Sequence, residues 1–425
     1  MILKAYQYRL DLSSTQTSLF RQWAGCARWT YNAALAASEA AYKTTGKGLG
    51  TSALCGLLTT WRAEHDWLKL FPAQSAQQAI RDLGDGFRRF FKKQNKRPTF
   101  KRKGRCRDSF RFPNQKSGKG RMIRLETLNR TKARIKLPKV GWVKLRYSRT
   151  IDGEIRSATV FRDGARWFVS ILLRTDEKTP EAPEIEDVRP ERMLGFDLGV
   201  VNTATFTDPK REPFDVPALS EGDERHMRRL QKRMARRQGP RPGKPPSKNW
   251  MKARDALQKC HAKLRRRRLD AIHKLTAVLT NGKQYDAIVM EDLNTKEMTK
   301  QKRGKGRRAK AKLNRAILSQ SWGEIRRQLT YKCQRAGIVF RVVDPAYTSQ
   351  KCSNCGHTER DNRKTQARFL CLRCGHTENA DENAAKNILA AGHGRDGLPR
   401  GCKTDRAGGN AGEDRSPDET GTSEE

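Results

Sequence analysis

The chain has 425 residues with 89 Lys and Arg against 46 Asp and Glu, a net charge of +43 that far outruns what solubility needs. Such an excess points to a polyanionic partner, with nucleic acid favoured. Hydrophobic residues at 36% exclude wholesale disorder, no stretch approaches the ~18 uninterrupted apolar residues of a membrane span, and ten Cys are too few for a disulfide scaffold. The composition therefore predicts a soluble, unexported chain of roughly two to four domains in a reducing compartment.

Residues 1–10, MILKAYQYRL, alternate as a strand with Ile2, Lys4, Tyr6 and Tyr8 on one side. Helical spacing follows from about Ser13 to Phe91, with breaks near Gly46–Gly50 and Pro72. Residues 88–105 hold ten Lys and Arg and no acid, interleaved with Phe90, Phe91 and Phe100. That mixture neutralises phosphates and offers rings for stacking, which makes Arg97, Lys101, Lys103 and Arg105 candidate nucleic-acid contacts; the bland alternative is a solvated helix end and loop. From 106 to 175 short runs alternate with period two (SFRFP, ARIKLP, WVKLRY, RWFVSILLR), predicting a small β-barrel or sandwich that the first strand completes. Residues 176–191 are acidic and Pro-rich, a linker composition with a boundary near 190.

An apolar strand, MLGFDLG, comes next, then TATFT. Residues 225–268 carry 18 Lys and Arg against the single acid Asp255, in helical stretches broken by GPRPGKPP; Arg236 and Arg237 are further candidate contacts. The strand DAIVMEDL precedes a basic loop at 300–315. An amphipathic helix bearing Trp322, Ile325, Leu329, Cys333 and Ala336 follows, then the strand IVFRVVDP and a helix from about Asn379 to Ala391. This order predicts an α/β or α+β domain, with a Gly-, Asp- and Glu-rich tail that is disordered.

Cys352-x-x-Cys355, fifteen residues, then Cys371-x-x-Cys374 falls in the zinc-ribbon window. The surroundings repeat with a period of 19, Cys-Gly-His-Thr-Glu, with Gly356 and Gly375 expected to permit the turn behind each second Cys. Four thiolates close a structural Zn²⁺ site, so His357 and His376 are not expected as ligands and the site is expected to fold a knuckle. The scattered Cys26, Cys55, Cys106, Cys260, Cys333 and Cys402 read as packing. Three carboxylates stand out: Asp197 closing MLGFD, Glu291 closing AIVME, and Asp381 opening ADENAAKNIL. Each has a dull reading as turn residue, strand-end charge or helix-start acid. Together they supply the clustered oxygen ligands that two-metal phosphodiester chemistry requires.

GFDLGV at 195–200, VMEDLN at 289–294, TSQKCSNCG and CLRCG within 348–375, and ADENAAKNIL at 380–389 resemble the TnpB (OrfB) proteins of insertion sequences, relatives of type V CRISPR nucleases. KAYQYRL, CARWTYNAAL at 26–35, PTFKRKG at 98–104, SFRFP at 109–113 and IKLPKVGWVKL at 135–145 resemble the same family, so the likeness spans roughly 1–392. The resemblance implies a multidomain α+β chain: a wedge-type β-barrel (1–10 and 98–185) split by a helical recognition lobe (11–97), then a RuvC-like, RNase H-type core (190–347 and 378–392). A zinc-ribbon insertion (348–377) and a tail (393–425) complete it. It further implies that Asp197, Glu291 and Asp381 bind Mg²⁺ or Mn²⁺, that a transposon-derived guide RNA and double-stranded target DNA are the partners, and that cutting occurs beside a short target-adjacent motif. The setting implied is the prokaryotic cytoplasm and nucleoid, without a membrane; oligomeric state is unassigned. The other readings left open are an RNA-guided DNA-binding regulator without effective cleavage and a guide-free transposase or structure-specific nuclease.

Overall fold

The computed structural model describes residues 2–117, 120–241, 243–301, 306–365 and 367–394. From residue 395 the expected tail, with Cys402, lies outside the described residues. The chain divides into two units, Met1–Lys178 with Met227–Ala262, and Thr179–His226 with Lys263–Glu425. Residues 227–262, which the sequence reading placed within 190–347, thus group with the first unit.

In the first unit β1 (Ile2–Asp11) leads into α1 (Ser14–Thr45), α2 (Thr51–Glu64), α3 (Asp66–Lys69) and α4 (Ala73–Phe91). The chain turns helical at α1 because Ser13 and Gln16 form a reciprocal capping box, and Gly46 at φ +70° ends it. The sequence places three-four spacing on Leu19, Trp23, Cys26 and Trp29; Trp23 and Cys26 are buried, Leu19 and Trp29 partly so, and the buried stripe runs through Phe20, Trp23, Ala27, Tyr31 and Leu35. Eight strands follow: β2 (Ser109–Pro113), β3 (Lys116–Ser117), β4 (Gly120–Arg121), β5 (Arg124–Asn129), β6 (Lys132–Leu137), β7 (Gly141–Arg146), β8 (Glu154–Asp163) and β9 (Arg166–Thr175). β3 pairs with β4, while the other six join β1 in one antiparallel sheet of order β2-β8-β9-β1-β7-β6-β5. One face buries Leu10, Ile135, Leu145, Val169 and Ile171, all under 5% exposed. The helices close over the β2 side, with Phe20 edge-on to Phe110 at 5.3 Å and to Trp167 at 5.5 Å.

In the second unit the acidic stretch does more than link. Two 3-10 turns, Ile185–Asp187 and Pro190–Arg192, bring Ile185 and Val188 into a buried cluster with Met193, Val289, Val343 and Ile388. Apolar side chains, which the charge and Pro content masks, are what anchor it. In chain order the elements are β10 (Met193–Asp197), β11 (Thr205–Phe206), α5 (Glu221–Ala235), α6 (Lys248–Asn281), β12 (Ala287–Glu291), α7 (Thr295–Met298), α8 (Arg307–Gln320), α9 (Trp322–Ala336), β13 (Val339–Val343), β14 (Arg368–Leu370), β15 (Thr377–Asn379) and α10 (Ala380–His393), of which α5 from Met227 and α6 as far as Ala262 group with the first unit. The sheet order is β11-β10-β12-β13, with β10, β12 and β13 parallel. Every residue of β10 and β12 is buried, which accounts for their continuous apolar runs.

The basic loop expected at 300–315 is helix from Arg307 onward. Ala, Lys, Arg and Leu are strong helix formers, and no Gly or Pro interrupts RRAKAKLNRAIL, so like charge alone does not break the turn; Ile317 and Gln320 bury its inner side. Among the described residues no helix is long and apolar enough to cross a membrane.

Candidate functional site

Because β10 and β12 run in parallel with Phe196 opposite Met290, their last residues, Asp197 and Glu291, reach the same carboxyl-terminal edge of the sheet. That edge is where α/β sheets place their ligands. α10 supplies the third carboxylate by lying very close to both strands. A Cβ on Gly195 would stand 2.7 Å from Leu389 Cβ and 2.8 Å from the Ala385 carbonyl, and one on Gly392 would run into Val289. Asn379 caps α10, its Oδ1 accepting from the Asp381 N–H at 2.9 Å, which fixes Asp381 in the first turn. Beyond β10 the chain turns tightly at Gly199, where a Cβ would meet the Asn202 carbonyl at 2.6 Å. Gly195→Ala is therefore expected to push α10 off the sheet, costing about 1–3 kcal/mol. A chemical melt of the second unit and a drop in any Asp381-dependent activity check it.

Asp197 and Glu291 are 9% and 6% exposed. Burial, and then the neighbouring Asp381, pushes Asp197 up to about 6; burial, and then Asp197, pushes Glu291 up to about 8. The Thr348 hydroxyl donates to the Glu291 carboxylate. Arg363 donates from Nη2 to Asp381 Oδ1 at 2.7 Å and moderates the charge on both other acids. Three carboxylates against one guanidinium leave an under-compensated, largely buried acidic cluster. An all-oxygen donor set of this kind fits a hard divalent cation.

The Cys quartet is a second metal-type site. Its Sγ atoms all lie within 4.8 Å of one another, with Cys355 and Cys371 3.5 Å apart and Cys352 and Cys374 3.8 Å apart. A tetrahedron with Zn–S of about 2.3 Å has edges of about 3.8 Å, so the quartet fits a structural zinc ribbon. Among the described residues it is the one group of three or more such ligand atoms gathered this closely; the three carboxylates stand wider. Each knuckle turns through a glycine, Gly356 at φ +74° and Gly375 at +69°, with Gly356 N–H donating to Cys352 O and Gly375 N–H to Cys371 O. His357 and His376 face Glu359 and Glu378 rather than the sulfurs.

Buried asparagines couple this knuckle to the acidic edge. Asn383 and Asn387 on α10 donate to the Lys351 carbonyl at 2.8 and 2.7 Å, and Asn387 also donates to that of Thr348. Asn362 donates to the carbonyls of Gln350 and His357 and accepts from Leu372 N–H. The segment carrying Arg363 and Thr348 is thereby tied to the helix carrying Asp381. Sequence reasoning missed Arg363, Thr348 and these asparagines; the only trace was polar residues at i and i+4 within ADENAAKN, a pattern that also suits a solvated helix face.

The six candidate nucleic-acid contacts belong to the first unit and are unequal. Lys103, Arg105 and Arg236 are exposed. Arg97 pairs with Glu39 at 3.1 Å, and Arg237 donates to the Asn249 carbonyl at 2.8 Å. Lys101 packs its ammonium 3.7 Å from the Tyr31 ring centre, and burial lowers its pKa, so it serves the core of this unit. The sequence reading overlooked the outer face of the large sheet, where Lys132, Arg146 and Arg9 stand directly opposite one another across β6, β7 and β1. Like charges so placed destabilise a bare sheet, and Asp11, 3.7 Å from Arg9 and 3.4 Å from Arg146, offsets part of this charge. Burial, then Arg146 and Arg166, lowers the pKa of Arg9, whose buried Nε has no hydrogen-bond partner. A cavity of about 540 Å³ opens there between Arg9, Lys144, Arg166, Trp142 and the start of α1.

The fold and the knuckle define a mixed α/β multidomain chain with a zinc-ribbon segment of the Cas12f type. Residues 322–388 match the family model "Cas12f1-like, TNB domain", and residues 173–302 match "Probable transposase". Residues 1–47 match a "Helix-turn-helix domain", although here they form a strand and one long helix. "Putative RNA-guided DNA endonuclease InsQ" of Escherichia coli K12 is 35% identical over 399 residues, 92% of each chain. A "Putative RNA-guided DNA endonuclease" of Streptomyces pristinaespiralis is 30% identical over 403 residues, 92% of this chain and 90% of its own. The chain belongs to the OrfB (TnpB) family of insertion-sequence proteins. Its fold is similar to that of the protein in a Cas12f1–sgRNA–target DNA complex, with a TM-score of 0.54 and 18% identity over 89% of this chain and 83% of that one.

Proposed function

We propose that the chain is an RNA-guided, divalent-metal-dependent endonuclease that cuts double-stranded DNA beside a short target-adjacent motif. The observation that carries this reading is the meeting of Asp197, Glu291 and Asp381 at one sheet edge, two of them buried at a cost that Thr348 and Arg363 offset only in part. In this reading Thr179–His226 and Lys263 onward contain the RuvC-like core, interrupted by the zinc ribbon, and the first unit contains the wedge strands and recognition helices.

Asp197, Glu291 and Asp381 would hold Mg²⁺ or Mn²⁺, which would supply activation of water and stabilisation of the attacking and leaving oxygens in phosphodiester hydrolysis. Thr348 fixes the rotamer of Glu291. Arg363 holds Asp381 in place and adds positive charge where a phosphate is drawn toward three acids. The zinc ribbon orients Arg363 and Thr348 from behind and takes no part in hydrolysis. Sequence selection is left to pairing between guide and target, with the protein gripping backbone phosphates.

Expressing the chain with the DNA that flanks its gene, purifying it and sequencing the bound RNA tests this reading. One RNA species with a fixed scaffold and a variable end is expected, and that complex should cut matching DNA in Mg²⁺. A mixture of degraded cellular RNA, or cutting that survives complete RNA removal, would overturn the guided reading; specific binding without metal-dependent cutting would favour the regulator. RNA affinity should fall about 10³- to 10⁵-fold between 50 and 200 mM salt for 6–10 phosphate contacts. Arg9→Ala with Arg146→Ala should lower the slope of log affinity against log salt by about 2.

A further inference from the structure

Tyr347 is the one aromatic residue among the described residues held at positive φ, +63°, a conformation bulky side chains avoid. It is also 61% exposed, and neither its ring nor its hydroxyl has a partner among the described residues. The turn that imposes this conformation is built from its own carbonyl, which accepts from Gln350 N–H at 2.9 Å and Lys351 N–H at 3.0 Å. Glycine or asparagine would make the same turn without strain and without exposing a ring. A strained backbone presenting an unpartnered aromatic is therefore spent on something outside the fold.

Its position says what. Tyr347 immediately precedes Thr348, the residue bonded to Glu291, on the segment leaving the carboxyl-terminal end of β13. On the other side of β12, the segment leaving β10 past Asp197 exposes Val201, 66% accessible, and is anchored by Gln320, which donates to the Val200 carbonyl at 2.8 Å. The strand order β10-β12-β13 sets the segments that carry these two residues on either side of the strand that ends in Glu291. A nucleobase is the flat, apolar-faced group that accompanies every phosphodiester, and an exposed ring recognises it without regard to sequence.

We infer that Tyr347 is a substrate-binding residue that stacks on an unpaired DNA base adjoining the scissile phosphate, with Val201 as the opposing apolar rim. The inference rests on the nuclease reading. Stacking sets the sugar-phosphate at the depth of the acidic edge and excludes water from one side of it.

The test uses the RNA-loaded full chain in single-turnover cutting of target DNA, normal or with abasic sites at the two nucleotides flanking the cut. Tyr347→Ala should lower the rate at subsaturating DNA about 5- to 150-fold, and Tyr347→Phe should restore most of it. On abasic DNA the wild type and Tyr347→Ala should become equal. Tyr347→Gly should melt no lower than wild type while cutting as poorly as Tyr347→Ala, because it relieves the backbone and removes the ring. An unchanged rate for Tyr347→Ala, or an equal loss on abasic DNA, overturns this inference and leaves the nuclease reading standing. A wild-type complex that cuts neither DNA overturns both.

Discussion

Replacing Asp197, Glu291 or Asp381 by alanine is expected to lower DNA cutting at least about 10³-fold, roughly 4 kcal/mol of barrier, while RNA binding stays within about twofold. The two readouts separate because the acids occupy the sheet edge of the second unit, whereas the basic sheet face and the basic runs of the first unit lie elsewhere in the chain. Robust cutting by any purified alanine variant would remove that residue from the centre. The charge-neutral variants add a readout independent of activity. A carboxyl group raised by burial favours its protonated form in the folded state, so its contribution is complete below its unfolded value and fades as pH rises through its folded value. Metal-free wild type should therefore melt progressively lower as pH climbs from about 4.5 to about 8, the range over which Glu291 moves from its ordinary to its shifted titration. Glu291→Gln should flatten that decline and raise the melting temperature at pH 8, and Mg²⁺ should stabilise wild type more than the variant. A melting curve that Mg²⁺ leaves unmoved at pH 8 would count against a cation at this edge.

Cys352→Ser is expected to empty the ribbon of zinc and release residues 348–379 to proteolysis, since a closed four-thiolate site contributes its binding energy directly to local folding. Cys352 is 1% exposed and clusters with Phe369, Cys371 and Ala380, so the loss is felt in packing as well as in coordination. Cutting should fall too, because Arg363 and Thr348 reach the acidic edge from this segment. Zinc content measured by mass spectrometry, limited proteolysis and RNA binding form the check. Undiminished zinc would mean that the four thiols do not act as a set.

Much of this was legible in the residues, for identifiable reasons. Period-two alternation marked β1 and the strands after 106, and three-four spacing marked α1, α4 and α9, because those patterns follow from which face of a strand or helix meets a core. The knuckles were legible because tetrahedral thiolate ligation constrains local spacing. The basic run after residue 300 misled because charge density resembles a loop, yet its Ala, Lys, Arg and Leu are helix formers. The burial of Ile185 and Val188 was hidden within an acidic, Pro-rich stretch.

The sequence by itself determined the local periods, the two Cys pairs, the positions of three acids at element ends and the scale of the positive charge, since each is written in neighbouring residues. Only the tertiary structure decided that Asp197 and Glu291 share an edge, that Gly195 lets α10 close on them, and that Arg363 reaches Asp381 across the knuckle. It alone aligned Arg9, Arg146 and Lys132, which are more than 130 residues apart at the extremes of Arg9 and Arg146. Strand register and helix approach are set by packing between segments distant in the chain, and no local pattern encodes which strand a given edge will meet.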